Sequence, residues 1–264
     1  MQLEELLFPL LWFALLGGLF GLALAVAARA FAVKQDERIP KMTEILPGAN
    51  CGGCGYSGCG AYAEAIAKGE AGVGRCAVGG APVSEALAAI MGVEATHAAS
   101  RRAYILCCGD CHTAHEKYRY EGVQDCAAAA RLGGGAKSCP QSCVGLGSCA
   151  AACPLGAILV KDGLATVDPA RCVGCGACLS ACPKHLIHLM PSGATYAVRC
   201  SSTEGGKETR AACARGCIGC RICEKKCAAG AIKITNALAE IDLDLCTGCG
   251  ACAEACPRGI IQKL

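Results

Sequence analysis

The residues in this chain whose type and spacing could do chemistry are its cysteines. There are 26 in 264 residues, far above ordinary globular usage. Cys172, Cys175, Cys178 and Cys182 form a C-x2-C-x2-C-x3-C run followed by Pro183. Cys246, Cys249, Cys252 and Cys256 repeat it before Pro257, and Cys217, Cys220, Cys223 and Cys227 repeat it without the proline. That spacing serves iron–sulfur cubes in bacterial two-cluster modules. Three thiolates two residues apart wrap three corners of a 4Fe-4S cube, and the fourth leads away to a second cube. Gly174, Gly219 and Gly248 let backbone N–H groups approach the sulfides with no Cβ in the way. Zinc prefers paired C-x2-C knuckles set apart by longer loops. Disulfides need an oxidising compartment, and these runs would close only very short loops.

The thiols also repeat. Cys126, Cys139, Cys143, Cys149, Cys153, Cys172, Cys175, Cys178 and Cys182 each have a counterpart 74 residues on, from Cys200 and Cys213 to Cys256. Asp168 and Asp242, and Ile187 and Ile261, share the offset. The stretch is two copies of one module, to be read once and applied twice. Leu146 stands where the second copy has Cys220, so the upstream Cys139 is the expected replacement ligand. Four cubes are then expected: on Cys139, Cys143, Cys149 and Cys182; on Cys153, Cys172, Cys175 and Cys178; on Cys217, Cys220, Cys223 and Cys256; and on Cys227, Cys246, Cys249 and Cys252. Cys51, Cys54, Cys59 and Cys76 form a further Gly-rich set, for a fifth cube or a structural zinc. Six thiols remain: Cys107, Cys108, Cys111, Cys126, Cys200 and Cys213. They are buried free thiols, or they hold a sixth cube through Cys107, Cys111 and Cys126 with Cys200 or Cys213.

The elements that must position these thiols are small. Ile158–Val160 and Leu164–Val167 flank an Asp162-Gly163 turn and read as a hairpin; Ile232–Ile234 and Ala239–Ile241 around Asn236 read likewise. Small residues after the third Cys of each run suit short helices, and Ala61 to Lys68 suits another. With 4 Phe, 1 Trp and 6 Tyr, little side-chain core is available. The expected class is α+β. Its segments are an anchor at 1–33, an iron–sulfur domain at 34–98, a Cys-containing connector at 99–135, and two-cluster modules at 136–195 and 196–264. Leu6 to Ala28 carries no charge over 23 residues, enough to cross a bilayer core. Its acidic flank, Glu4 and Glu5, suits a retained anchor and not a cleaved signal. Arg29, Lys34, Arg38 and Lys41 follow the span, which puts the remainder in the cytoplasm. Gly17, Gly21 and Ala25 form a small-residue stripe on it.

The phrase Leu46-Pro47-Gly48-Ala49-Asn50-Cys51 through Cys59, the segment Ser142 to Ile158 and the anchor together resemble the B-subunit family of Rnf complexes, in its longer clostridial-type form. The resemblance implies a membrane-bound ferredoxin:NAD+ oxidoreductase coupled to Na+ or H+ translocation. It implies that this subunit faces reduced ferredoxin, and that other subunits carry flavin and NAD. An anchored polyferredoxin of a hydrogenase or formate dehydrogenase shares the cofactor; a zinc-stabilised scaffold is a third reading. The chain has no Gly-rich dinucleotide fingerprint and no nucleophile–base constellation. His97, His112, His115, His185 and His188 fit no ligand spacing, and nothing points to nucleic acid. The formal charge is +3, and five oxidised cubes with their thiolates would bring it to about −7. Lys207, Arg210, Arg215, Arg221, Lys225, Lys226 and Lys233 crowd the second module against Glu204, Glu208 and Glu224. They offer a docking face for an acidic ferredoxin, or they offset the cubes' own charge.

Overall fold

The computed structural model describes residues 3–30, 36–96 and 100–264; Lys34 and His97 lie outside them. Helix α1 (Leu3–Ala30) contains a segment, Leu10–Ala30, long and apolar enough to cross a membrane. Leu11, Leu15, Leu19 and Leu22 on it are exposed, and among the described residues nothing outside the helix's own backbone lies within 4 Å of a Cβ added at Gly17 or Gly21. Its apolar surface is therefore unsatisfied among the described residues, as an anchor's would be.

Helices α2 (Arg38–Ile45), α3 (Cys59–Ala67) and α4 (Gly80–Met91) make the small domain that follows. Met42, Tyr62, Ile66 and Leu87 are buried between them. Burying each such side chain is worth about 1.5–3 kcal/mol. The Tyr62 hydroxyl donates to Gly72 O (2.8 Å) and accepts from Arg75 N (3.1 Å). It thereby ties α3 to the segment that ends at Cys76. The Asn50 side chain accepts from Cys59 N at 2.8 Å, which closes the Gly-rich loop onto the start of α3.

The first module holds strand β1 (Arg101–Ile105), α5 (Cys126–Arg131), α6 (Ser148–Ala151), β2 (Ile158–Lys161), β3 (Leu164–Val167), α7 (Ala177–Ser180) and β4 (Ile187–Pro191). The second holds β5 (Tyr196–Val198), α8 (Gly206–Ala212), α9 (Ile222–Lys226), β6 (Ile232–Thr235), β7 (Leu238–Ile241), α10 (Ala251–Glu254) and β8 (Ile261–Lys263). In each, the inner strands form the expected hairpin and the outer strands pair antiparallel, β1 with β4 and β5 with β8. The first module thus reaches back to Arg101, into the stretch the sequence set aside as a connector. β1 is easily missed, because the residues it pairs with lie more than 80 positions downstream.

The hairpins turn through residues at positive φ: Asp162 (51°) and Gly163 (68°) in the first, Asn236 (48°) and Ala237 (61°) in the second. Such turns prefer Gly at the second position, and a non-Gly residue there costs about 1–2 kcal/mol. Ala237→Gly is expected to raise stability by about 1 kcal/mol after its unfolded-state entropy is subtracted. A denaturant midpoint measured anaerobically checks this; an unchanged or lower midpoint refutes it.

Candidate iron–sulfur centres

Three of the five expected thiol sets come together in full, and a fourth in three of its members. Cys76 lies among Cys51, Cys54 and Cys59. One cavity is lined by Cys153, Cys172, Cys175 and Cys178, another by Cys217, Cys220, Cys223 and Cys256. Cys252 lies close to Cys227 and Cys246, while Cys249 is exposed.

The remaining set is corrected by the geometry. The cavity around Cys143, Cys149 and Cys182 takes its fourth thiol from Cys126, and Cys139 is absent from its lining. Cys126 opens α5, where the Asp125 side chain caps by accepting from Ala128 N at 2.7 Å. Ser148, next to Cys149, accepts from Cys126 N at 2.8 Å and donates to Asp125 at 3.0 Å. This short network swings Cys126 over the gap that Leu146 leaves.

Cys139 lies instead in a cavity between the modules, with Cys107, Cys108, Cys200 and Cys213. The 74-residue register paired Cys126 with Cys200, but the hydrogen bonds make Cys107 the structural counterpart of Cys200. Leu106 N donates to Leu186 O at 2.8 Å, and Arg199 N donates to Ile260 O at 2.7 Å. Cys143 N points at Cys107 Sγ (3.5 Å), as Cys217 N points at Cys200 Sγ (3.3 Å). Cys107 and Cys200 are 93 positions apart, so the first module carries an insertion between its first strand and Cys139. Cys111 is exposed and outside every one of these cavities; it lies within 4.8 Å of ligand atoms of His112 and Asp162. The expectation that Cys111 and Cys126 join a sixth set is corrected accordingly.

The donor sets fit iron–sulfur cubes. Each cavity is lined by at least four thiols, and backbone N–H groups point at sulfur: Ala103 at Cys172, Ala157 at Cys153, Leu186 at Cys182 and Ala231 at Cys227, all at 3.3–3.4 Å. Such bonds are among the terms that set cluster potentials. Gly174 sits at φ 68°, where an added Cβ would come 2.3 Å from Arg101 O, so β1 can close over the run only with glycine there. Burial pushes the Cys178 thiol up to about 12 and those of Cys149, Cys200 and Cys223 up to about 11. Without metal these groups are neutral thiols, and cluster binding must displace their protons.

The Cys51 set also touches the first module. An added Cβ on Gly53 would lie 2.3 Å from Cys175 O, so the loop carrying Cys51 and Cys54 rests directly on the first module. Of the seven cations in the second module's basic stretch, Lys207, Arg210, Arg221, Lys225, Lys226 and Lys233 are exposed. Arg215 turns inward and donates to Gly259 O at 2.9 Å.

A family model for an Fe-S cluster matches residues 46–78, and one for a 4Fe-4S binding domain matches 165–188 and 239–262. The chain is 42% identical over 262 residues to the B component of the Na+-translocating ferredoxin:NAD+ oxidoreductase complex of Acetobacterium woodii, covering 99% of this chain and 79% of that one. It is 41% identical over 248 residues to the B component of the ion-translocating oxidoreductase complex of Methanosarcina acetivorans, covering 94% of each. The chain belongs to the B-subunit family of Rnf complexes. A third relative, the B component of the proton-translocating ferredoxin:NAD+ oxidoreductase complex of Clostridium ljungdahlii, is 39% identical over 95% of this chain and 89% of its own. Membership makes the chain an electron-transfer subunit of an ion-translocating Rnf oxidoreductase, with 4Fe-4S binding domains. Together with helix α1, it associates the chain with a membrane and with the other subunits of a complex.

Proposed function

We propose that the chain is a six-cube wire carrying electrons from reduced ferredoxin, through the second module and then the first, to the Cys51 set and the membrane subunits, in a complex coupled to Na+ or H+ movement. The observation that carries this reading is the cavity between the modules. It lies beside the Cys143 set through Cys107 and beside the Cys217 set through Cys200, so it links the sets of the two modules. Its ligands are Cys107 and Cys139 from the first module and Cys200 and Cys213 from the second. Cys108, whose Sγ donates to Arg215 O at 3.8 Å, is the fifth thiol and is engaged away from the set. The other cubes take Cys51, Cys54, Cys59 and Cys76; Cys153, Cys172, Cys175 and Cys178; Cys126, Cys143, Cys149 and Cys182; Cys217, Cys220, Cys223 and Cys256; and Cys227, Cys246, Cys249 and Cys252. When bound, the cubes supply one-electron redox chemistry; the chain's own residues hold them in line and point N–H groups at their sulfurs. The basic residues after α1 favour the cytoplasmic side for the cluster domains.

The ferredoxin end of the wire is the second module. Cys220 and Cys249 are its exposed ligands, and Arg221, Lys225 and Lys226 adjoin Cys220 in the chain. Opposite charges steer encounter, and the rate of such encounters falls with salt. Reversing charge at Arg221, Lys225 and Lys226 is expected to slow reduction by ferredoxin at least tenfold at low ionic strength and to flatten its salt dependence. Reduction by dithionite should be unchanged. A ferredoxin rate equal to that of the unaltered protein at every ionic strength would sink the docking face.

A further inference from the structure

Between the two modules lies a second cleft, of about 160 Å³, lined by no cysteine. That volume holds several waters or one small ion. Arg102 of β1 faces it from the first module, and Arg199 and Lys263 face it from the second. No Asp or Glu lines it. None of the ion pairs among the described residues involves these three cations.

The guanidinium groups are held but not saturated. Arg102 donates one Nη to Ala194 O at 2.7 Å, yet its Nε is buried without a partner, and it is the one such side-chain atom among the described residues. Leaving a charged donor buried and unpaired is costly, so an acceptor in the cleft would be stabilising. Arg199 donates from Nε to Ile105 O (3.4 Å) and from Nη1 to Gln262 (3.1 Å). These bonds fix the plane of its guanidinium and leave Nη2 over. Two oriented guanidinium forks and an ammonium suit a compact anion with several acceptor oxygens.

We propose that this cleft binds a small tetrahedral oxyanion of the phosphate class, held by Arg102, Arg199 and Lys263. Such an anion would bridge the modules, because its ligands come from both. It would also sit beside the wire, since Arg199 lines the intermodule thiol cavity as well. An anion here offsets a cation next to that cavity and favours its more oxidised, less negative state.

The test is equilibrium dialysis of radiolabelled inorganic phosphate against the anaerobically purified full chain. One saturable site per chain is expected, displaced by sulfate and weakened by salt. Arg199 ties β1 to β8, so Arg102→Gln and Lys263→Gln are the variants to use. Each should weaken phosphate binding about tenfold with iron content unchanged. Charge reversal at Arg221, Lys225 and Lys226 should leave it intact. Displacement by AMP as effective as by phosphate would assign the ion to a phosphate ester, and weaker displacement to free phosphate. Absence of a saturable site, or equal binding by both cleft variants, would overturn the proposal.

Discussion

Cys126→Ala is expected to cost the chain one cube, about four of some 24 irons when all six sites are loaded. The loss should fall on the site of Cys143, Cys149 and Cys182. Cys126 reaches that cavity through the Asp125–Ser148 network, and no other thiol lines it. Cys139→Ala should spare this cube and remove the one between the modules. The two variants therefore lose equal iron but different spectroscopic signals. Iron and sulfide counts with paramagnetic resonance of the reduced protein distinguish them. Loss of the same signal in both would return Cys139 to the first module's set.

The contrast between these two thiols marks how far the sequence could be read. Within a run, spacing alone was enough. Residues two and three apart can reach one cube only in a few ways, and the hairpins and short helices around the runs follow from local turn chemistry and small residues. Cys126 was harder because Leu146 leaves a gap that two upstream thiols could fill, and the 74-residue register gave Cys126 a false partner in Cys200. The decisive facts are a 93-position spacing, created by an insertion, and a strand whose partner lies far along the chain. One signal was present: Asp125 before an alanine-rich stretch marks a helix start, which makes Cys126 a fixed position and not part of a loose linker. The anion cleft had no signal, since Arg102, Arg199 and Lys263 belong to no motif.

The intermodule site was hidden for a deeper reason. A repeat read once and applied twice yields what each copy does alone, whereas this site exists only where the copies meet. Each module gives it an equivalent pair, Cys107 with Cys139 and Cys200 with Cys213, and each turns a ligand N–H of its own neighbouring set toward it. The arrangement resembles an isologous interface folded into one chain. In the proposed wire it is the step between the modules. Replacing both Cys200 and Cys213 with serine is therefore expected to remove about four irons and nearly all flow to the membrane subunits. Cubes of the second module should still be reduced by ferredoxin at the normal rate, while those of the first module and of the Cys51 set stay oxidised. Rapid-freeze spectroscopy of the complex reads the two halves separately. Reduction of the Cys51 set at an unaltered rate in that variant would mean that electrons bypass the junction and enter through the first module.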